Sequence, residues 1–176
     1  MKNSEAFESL TNELLIEKLI DEYSDMVKRL SYTYVKDWQV AEDITQEVFI
    51  ACYKSLGHFR KDCSYKNWIY KININKCKDF LKGKWLVPKE FLEKLFLNEN
   101  QKSLSTEERV MLINEERILS QNVLSLPVRY REIIILYYYE DMKMKEISDL
   151  TGLHIATIKT RLSRAKKILR KIYEGV

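Results

Sequence analysis

The sequence has little of what a turn-rich or disulfide-bonded protein needs. Its 176 residues include only 4 glycines, 2 prolines and 3 cysteines. A chain of short strands joined by tight turns needs more glycine and proline, so the composition favours an all-α fold. The cysteines (Cys52, Cys63 and Cys77) would leave one thiol unpaired and show no C-x-x-C spacing. A disulfide scaffold is therefore not expected, and a reducing cytoplasm fits.

Signals for catalysis, metal binding and membrane insertion are also missing. With 2 histidines, a structural zinc site is not expected. The chain has no glycine-rich phosphate loop, metal-ligand cluster or nucleophile motif, so we expect no cofactor, no metal, no small-molecule substrate and no enzymatic activity. No apolar run approaches the roughly 18 to 20 residues of a membrane span, and the acidic N-terminal segment is not a secretory signal.

The charges that are present are unevenly distributed. The formal net charge is only +4, with 45% hydrophobic residues, which is enough apolar material for real cores. Lysine and arginine nevertheless outnumber acids between residues 60 and 84, and no acid occurs between residues 154 and 171. Two separate basic segments predict two contacts with a polyanion.

The positions of glycine and proline indicate the boundaries between helical segments. We predict helices over 14–34, over 37–56 with a stop at Gly57, and from Ser64 to Gly83, and a capping-box pair at Ser105 and Glu108. Pro127 is placed at a first helical position. The irregular stretch between them predicts a linker, which gives three parts: an N-terminal helical domain at 1–84, a linker at 85–112 and a C-terminal helical domain at 113–176.

The helix over 37–56 has an unusual outward face. Its predicted core residues include Ile44 and Val48, whereas the opposite face mixes acids with large apolar side chains: Glu42, Asp43, Gln46, Phe49, Ile50 and Tyr53. Exposed carboxylates beside exposed apolar groups are typical of a protein-binding surface. The alternative is that Phe49 and Ile50 pack on a neighbouring helix and the acids are only solvated.

The next helix and the loop before it have the pattern of a nucleic-acid surface. One stripe of the helix holds three cations and an amide (Lys71, Asn75, Lys78 and Lys82), which suits a phosphate backbone. The loop interleaves aromatic and cationic side chains, which can stack on unpaired bases: Phe59, Arg60, Lys61, Tyr65 and Trp68. A solvated lysine stripe and aromatics buried in the core are the alternatives.

The C-terminal segment predicts a helix-turn-helix. A short helix at 143–150 ends at Gly152, which can take the positive φ of a tight turn, and a second helix runs from about 154 to 172. Ile155, Ile158, Leu162, Ala165, Leu169 and Ile172 form its apolar face. The opposite face and its flanks suit the major groove: Thr157, Lys159, Thr160, Arg161, Ser163, Arg164 and Lys167. The alternative is an amphipathic helix with a solvated basic face, and Arg161 could instead pair with an acid of its own domain.

Three motifs in order resemble one family, the extracytoplasmic-function sigma factors of bacterial RNA polymerase. Segment 41–49, AEDITQEVF, is similar to the A-E-D-[LI]-x-Q-E-V-F core of sigma region 2. Segment 68–82 resembles the helix that reads the −10 element, with Trp68, Asn75 and Asp79 in matching places. The chain from Leu126-Pro127 through Arg131-Glu132 to 157–166, TIKTRLSRAK, resembles region 4.

This resemblance implies an all-α protein of two small helical domains that binds core RNA polymerase and promoter DNA. It places polymerase docking at Glu42, Asp43, Gln46, Glu47, Phe49 and Ile50. It places −10 recognition on the stripe and aromatic loop, and −35 recognition on the last helix. It also implies an anti-sigma factor, membrane-anchored or free. The competing classes, a two-domain helix-turn-helix repressor and a helical protein-binding adaptor, have no reason to carry the region 2 motifs.

The chain also departs from the family pattern. Asn73 stands where alanine is usual, and Ser148 and Thr151 replace alanine and leucine. Ile155-Ala156 replaces the common Glu-Gly before Thr157. Because this pair lies at the start of the recognition helix, the −35 sequence that is read is expected to be unusual.

Overall fold

The computed structural model describes residues 11–85 and 120–174, and every regular element in those two ranges is helical. The N-terminal unit consists of α1 (Asn12–Val35), α2 (Trp38–Ser55) and α3 (Tyr65–Trp85). The C-terminal unit begins with a helical stretch at 120–125 and continues with α4 (Val128–Ile134), α5 (Met144–Thr151) and α6 (Ile155–Glu174). The predicted all-α fold is confirmed. The predicted capping box at Ser105 and Glu108 and nearly all of the predicted linker lie outside the described residues.

Side-chain caps explain where α2 and α3 begin. The Asp37 carboxylate accepts a hydrogen bond from the backbone N–H of Val40 at 3.0 Å, and the Ser64 hydroxyl accepts one from the N–H of Asn67 at 3.2 Å. Both caps, which satisfy N–H groups that lack a partner within the helix, were predicted from sequence. At the other end of α1, Lys36 takes a left-handed conformation with φ 60°.

Of the two glycines that were predicted to end helices, one lies inside its helix. Helix α2 ends at Ser55, one residue before the predicted end, and continues into a 3₁₀ turn, Leu56–His58, that contains Gly57. Helix α3 runs through Gly83 to Trp85. Neither glycine has a positive φ. A helical glycine costs only about 0.5–1 kcal/mol relative to alanine, which neighbouring residues can offset, so composition alone misplaced the end of α3.

The N-terminal unit packs three helices around one core. Its fully buried residues include Leu19 and Val27 of α1, Val48 of α2, and Ile69 and Ile74 of α3. Cys77 is buried as predicted, and burial raises the pKa of its thiol to about 12. Cys52 is buried too, whereas Cys63 is exposed. Cys63 is therefore the thiol most open to solvent in a chain whose three cysteines are all described.

The C-terminal unit folds as the predicted helix-turn-helix. Ile147 and Leu150 of α5 pack with Ile158 and Leu162 of α6, and Gly152 ends α5 with φ 74°. Pro127 precedes α4 as its cap rather than forming its first turn. The apolar face of α6 is shorter than predicted, because Ile155 and Ile172 at its ends are exposed. No helix in the described parts of the chain is both long enough and apolar enough to span a bilayer.

Candidate protein-binding and nucleic-acid interfaces

An apolar groove of about 580 Å³ lies between α1 and α2 of the N-terminal unit. Four of the residues predicted for protein docking line its α2 wall, namely Glu42, Gln46, Phe49 and Ile50. Ile50 is 54% exposed, so covering it with a partner would gain about 25 cal/mol per Å² of apolar surface removed from water. A groove of this kind, apolar at its centre and charged at its rim, has the composition of a protein interface.

Phe49 corrects one part of the prediction. The sequence placed it on the exposed face, but its side chain is only 7% exposed and belongs to the core of the unit. It packs at the base of the groove between α1 and α2, so the alternative of packing on a neighbouring helix holds for Phe49 and not for Ile50. Asp43 and Glu47 are exposed but do not line the groove, and Glu47 forms an ion pair with Lys76 at 3.0 Å.

The α1 wall of the groove was not predicted from sequence. It consists of Ile16, Ile20, Ser24, Asp25 and Lys28. Ile20 is exposed, and Lys28 forms an ion pair across the groove with Glu42. A helix was predicted here from sequence, but no face of it was assigned. The signal available in the sequence was that isoleucines at 16 and 20 share a face with the charged residue Lys28.

The three aromatic side chains of the loop before α3 form one cluster. The Phe59 ring centroid lies 4.9 Å from that of Tyr65 and 4.8 Å from that of Trp68. All three side chains are half-buried, so part of each remains open to solvent. Arg60 and Lys61 beside them are exposed, and Lys61 has a positive φ of 58°. Such a cluster can stack on an unpaired base while the adjacent cations contact phosphate.

The members of the predicted cationic stripe of α3 have different surroundings. Lys71, Asn75 and Lys82 are exposed, and Lys82 forms an ion pair with Asp79 one turn away at 3.2 Å. Lys78 is half-buried and forms an ion pair at 2.9 Å with Glu132 of the C-terminal unit. Two lysines of the stripe therefore face solvent, whereas the third is held by a carboxylate.

Helix α6 presents a polar face with basic surfaces on both sides. Lys159, Thr160, Ser163, Arg164 and Lys167 are exposed, and Thr157 is half-buried. The Thr160 hydroxyl donates to the Ala156 carbonyl at 2.9 Å, which uses its proton within the helix. Arg161 is half-buried and lies 3.8 Å from Glu132, so the alternative of pairing within its own domain describes this side chain.

Two residues of α4 extend this surface and were not predicted. Arg129 and Tyr130 line a shallow depression together with Thr157, Thr160 and Arg164. The Arg129 guanidinium lies 4.8 Å from the centre of the Tyr130 ring. The only sequence signal was a basic residue just after Leu126-Pro127, and its closeness to α6 depends on how the two helices pack.

Two residues that differ from the family pattern, Ser148 and Thr151, stabilise the turn between α5 and α6 by hydrogen bonds. The Ser148 hydroxyl donates to the Leu153 carbonyl at 2.6 Å, and the Thr151 hydroxyl accepts from the Leu153 N–H at 3.3 Å. The third departure, Asn73, is fully buried and hydrogen-bonded to α1. In the described structure, each of these polar replacements therefore has a partner.

Two family comparisons match the two units separately. Sigma-70 region 2 matches residues 19–87, and sigma-70 region 4 matches residues 117–169. The first match contains α2, α3, the aromatic cluster and all of α1 except its first turns, and the second contains α4, α5 and most of α6.

Curated relatives match along most of the chain. The RNA polymerase sigma factor SigV of Bacillus subtilis (strain 168) is 33% identical, with 91% of this chain and 91% of that protein covered. The ECF RNA polymerase sigma factor SigW of the same organism is 27% identical and covers 87% of this chain and 86% of its own length.

Solved structures share the fold at lower identity. The sigma factor RpoE in complex with the anti-sigma factor NepR, from Bartonella quintana, gives a TM-score of 0.70 at 17% identity, over 90% of this chain and 96% of that one. CnrH in complex with the cytosolic domain of CnrY gives a TM-score of 0.64 at 17% identity, over 93% and 90% of the two chains.

Proposed function

The chain belongs to the extracytoplasmic-function sigma factors of bacterial RNA polymerase. We propose which of its surfaces binds the polymerase and which surfaces recognise the two promoter elements. A sigma factor of this type binds core RNA polymerase and directs initiation at promoters by recognising −10 and −35 elements. The observation that carries the assignment of surfaces is the order of the two matched regions along the chain, each with an exposed cationic face. The polymerase performs the chemistry, and this chain supplies the specificity.

We assign core polymerase docking to the groove between α1 and α2. Its α2 wall supplies Glu42, Gln46, Phe49 and Ile50, and its α1 wall supplies Ile16 and Ile20. Asp43 and Glu47 extend the acidic rim outside the groove. An exposed isoleucine surrounded by charged groups is the arrangement expected at the centre of an interface, where water is excluded from one apolar anchor.

We assign −10 recognition to the N-terminal unit at 1–84. The cluster of Phe59, Tyr65 and Trp68 is suited to holding an unpaired base, and Arg60 and Lys61 are suited to contacting the phosphates beside it. Lys71, Asn75, Lys78 and Lys82 contact the duplex backbone next to the opened region. Because phosphate contacts carry no sequence information, the stripe supplies affinity and register, and the aromatic cluster supplies strand opening.

The stripe makes a specific prediction. Lys71→Ala or Lys82→Ala should weaken holoenzyme binding to different promoter sequences by a similar factor and lower the salt dependence by about one unit of slope each. The matched control is Lys76→Ala, because Lys76 pairs with Glu47 inside the N-terminal unit. Fluorescence titrations at several salt concentrations measure the slopes. Unchanged slopes in both variants would show that these lysines are only solvated.

We assign −35 recognition to α6 of the C-terminal unit, for which 113–176 is the proposed extent. Arg164 is exposed near the centre of the outward face and can make a bidentate contact with guanine. Thr157, Thr160 and Ser163 add short contacts to bases or phosphates. Lys159 and Lys167 position the helix on the backbone, with Arg161 at its side.

Arg164→Ala should therefore relax the preference at one or two −35 base pairs by about 1–3 kcal/mol of discrimination, because it removes a contact to a base edge. Lys159→Ala, the matched loss of one exposed cation on the same helix, should weaken all sequences alike. Selection from a randomised −35 library by each holoenzyme measures both effects. If Arg164→Ala lowers activity evenly across the library, Arg164 contacts phosphate instead.

We also propose that the regulatory partner is an anti-sigma factor. One solved neighbour, the sigma factor RpoE, is described as in complex with the anti-sigma factor NepR. The groove between α1 and α2 is the natural target, since a protein that occupies it excludes the polymerase. Because the polymerase and the promoter DNA are in the cytoplasm, we propose that the chain acts there.

Footprinting tests this division of the promoter. Holoenzyme formed with the chain should protect the −35 and −10 elements together, and core polymerase without the chain should protect neither. Protection of one operator-like site by the chain alone would instead indicate a helix-turn-helix repressor.

A further inference from the structure

Glu132 of α4 is a buried carboxylate that contacts both units. Its side chain is 3% exposed, yet it has partners on three other helices. It accepts a hydrogen bond from the Tyr34 hydroxyl of α1 at 2.8 Å, forms an ion pair with Lys78 of α3 at 2.9 Å, and lies 3.8 Å from Arg161 of α6. Two of these partners belong to the N-terminal unit. A buried charge needs such partners, because an isolated carboxylate is very costly to remove from water.

The residue before it, Arg131, connects the same two units. Arg131 is buried, and one of its guanidinium nitrogens donates to the Tyr34 carbonyl at 3.4 Å. That carbonyl belongs to the last turn of α1, where carbonyls lack partners within the helix and the helix dipole favours a cation. The Nε of Arg131 has no hydrogen-bond partner among the described residues. Arg131 therefore donates to two backbone carbonyls, that of Leu124 in its own unit and that of Tyr34 at the end of α1.

A second carboxylate continues the contact along α3. Glu140 accepts a hydrogen bond from the Tyr70 hydroxyl and lies 3.4 Å from the Lys66 ammonium. These polar groups, placed against α1 and α3, are part of the contact between the units. Interfaces between domains of one chain are usually more polar than those of obligate complexes, and relative motion of the domains is expected unless the interface is large and hydrophobic.

We propose that Glu132 holds the two units together in the free protein and must release Lys78 before region 2 and region 4 can engage a promoter. The part of this inference that concerns DNA rests on the proposed function, because Lys78 and Arg161 belong to the surfaces assigned to the −10 and −35 elements. In this closed arrangement, the Glu132 carboxylate pairs with Lys78 of the −10 surface and with Arg161 of the −35 surface. DNA phosphates compete with Glu132 for the same two side chains.

The closed arrangement lowers the apparent affinity of the protein for promoter DNA. When a ligand binds only the open state, its apparent Kd equals the intrinsic Kd divided by the fraction of molecules that are open. Weakening the Glu132 contact therefore increases DNA binding, although it removes hydrogen bonds from the folded protein. A carboxylate that merely stabilised the C-terminal unit would have the opposite effect.

The distance between the units in the free full-length chain tests the proposal without DNA. One dye is attached to the exposed Cys63 of the N-terminal unit and the other to Tyr173→Cys on the exposed end of α6, and energy transfer is measured. Lys78→Ala and Tyr34→Phe should each lower the transfer efficiency, because each removes one partner of Glu132. Lys82→Ala is the matched control, since Lys82 lies on the same stripe and pairs with Asp79 of its own helix.

A second comparison uses the carboxylate itself. Glu132→Gln should lower the transfer efficiency and lower the apparent Kd of the holoenzyme for promoter DNA roughly threefold or more. Asp149→Asn removes one exposed negative charge from the same unit and should change neither quantity. Circular dichroism of each variant checks that both units remain folded.

The outcomes separate this inference from the proposed function. Transfer efficiencies in Lys78→Ala and Tyr34→Phe that equal those of the parent and of Lys82→Ala would overturn the closed contact. Lower efficiencies without tighter DNA binding by Glu132→Gln would overturn its restraint of promoter binding. If the parent holoenzyme binds no promoter, the proposed function fails, and the distances in the free chain still decide whether Glu132 joins the units.

Discussion

Ile50→Arg should reduce the affinity of the chain for core RNA polymerase by at least about 30-fold. Ile50 is the most exposed apolar side chain in the groove between α1 and α2, and truncation of a central anchor typically costs 2 kcal/mol or more. Arginine adds a charge that would be buried without a designed partner, which increases the cost. Titration of labelled core polymerase with the chain measures the loss.

Ile172→Arg is the matched control for this variant. Ile172 is 41% exposed near the end of α6, so the same substitution adds the same charge far from the groove. Its affinity for polymerase should equal that of the parent. Asp43→Lys combined with Gln46→Ala should give a smaller loss, because Asp43 lies on the rim. Equal affinities for Ile50→Arg and Ile172→Arg would remove the groove from the interface.

Asn73→Ala should lower the free energy of unfolding of the N-terminal unit by about 2–4 kcal/mol, even though alanine is the usual residue of the family there. Asn73 is fully buried on α3. Its amide donates to the Val27 carbonyl at 3.1 Å, and its oxygen accepts from the Ser31 hydroxyl at 2.7 Å. Alanine leaves the Ser31 hydroxyl unsatisfied in the core and also creates a small cavity. Urea denaturation followed by circular dichroism measures the change.

Two further variants separate hydrogen bonding from loss of volume. Asn75→Ala makes the same substitution at an exposed position of the same helix and should change stability by no more than about 0.5 kcal/mol. Ser31→Ala combined with Asn73→Ala removes both partners, so its cost should be less than the sum of the single variants. Strict additivity would show that the two side chains do not act as a pair.

The helices could be predicted from sequence because local rules determine them. Asp37 and Ser64 cap the helices that periodicity predicted, and Gly152 takes the positive φ that the turn requires. Gly83 was interpreted wrongly by the same rules. A helix passes through glycine when packing on both sides offsets a small conformational cost, and a single sequence does not show that packing.

The residue types on each candidate surface could be predicted from sequence, whereas the packing and pairing of those residues could be predicted only in part. The sequence identified Ile50 as an exposed apolar residue and Arg164 as an exposed cation, since both lie opposite a clear core face. It placed Phe49 on the surface, because a helical projection does not show the neighbouring helix that buries it. The partner of Lys78 could not be predicted, because Glu132 is distant from Lys78 in sequence and no local pattern encodes that contact. For Arg161, pairing with an acid of its own domain was an alternative, but the acid was not identified.

Run-off transcription with purified core RNA polymerase and a library of promoter fragments tests the central claim most directly. Core polymerase and this chain together should give transcripts from a subset of templates that share a −35 and a −10 element, and neither component alone should do so. The Ile50→Arg chain should give far less product at the same concentration, whereas Ile172→Arg should match the parent. Transcription that is no more selective with the chain than without it would contradict its role as a sigma factor.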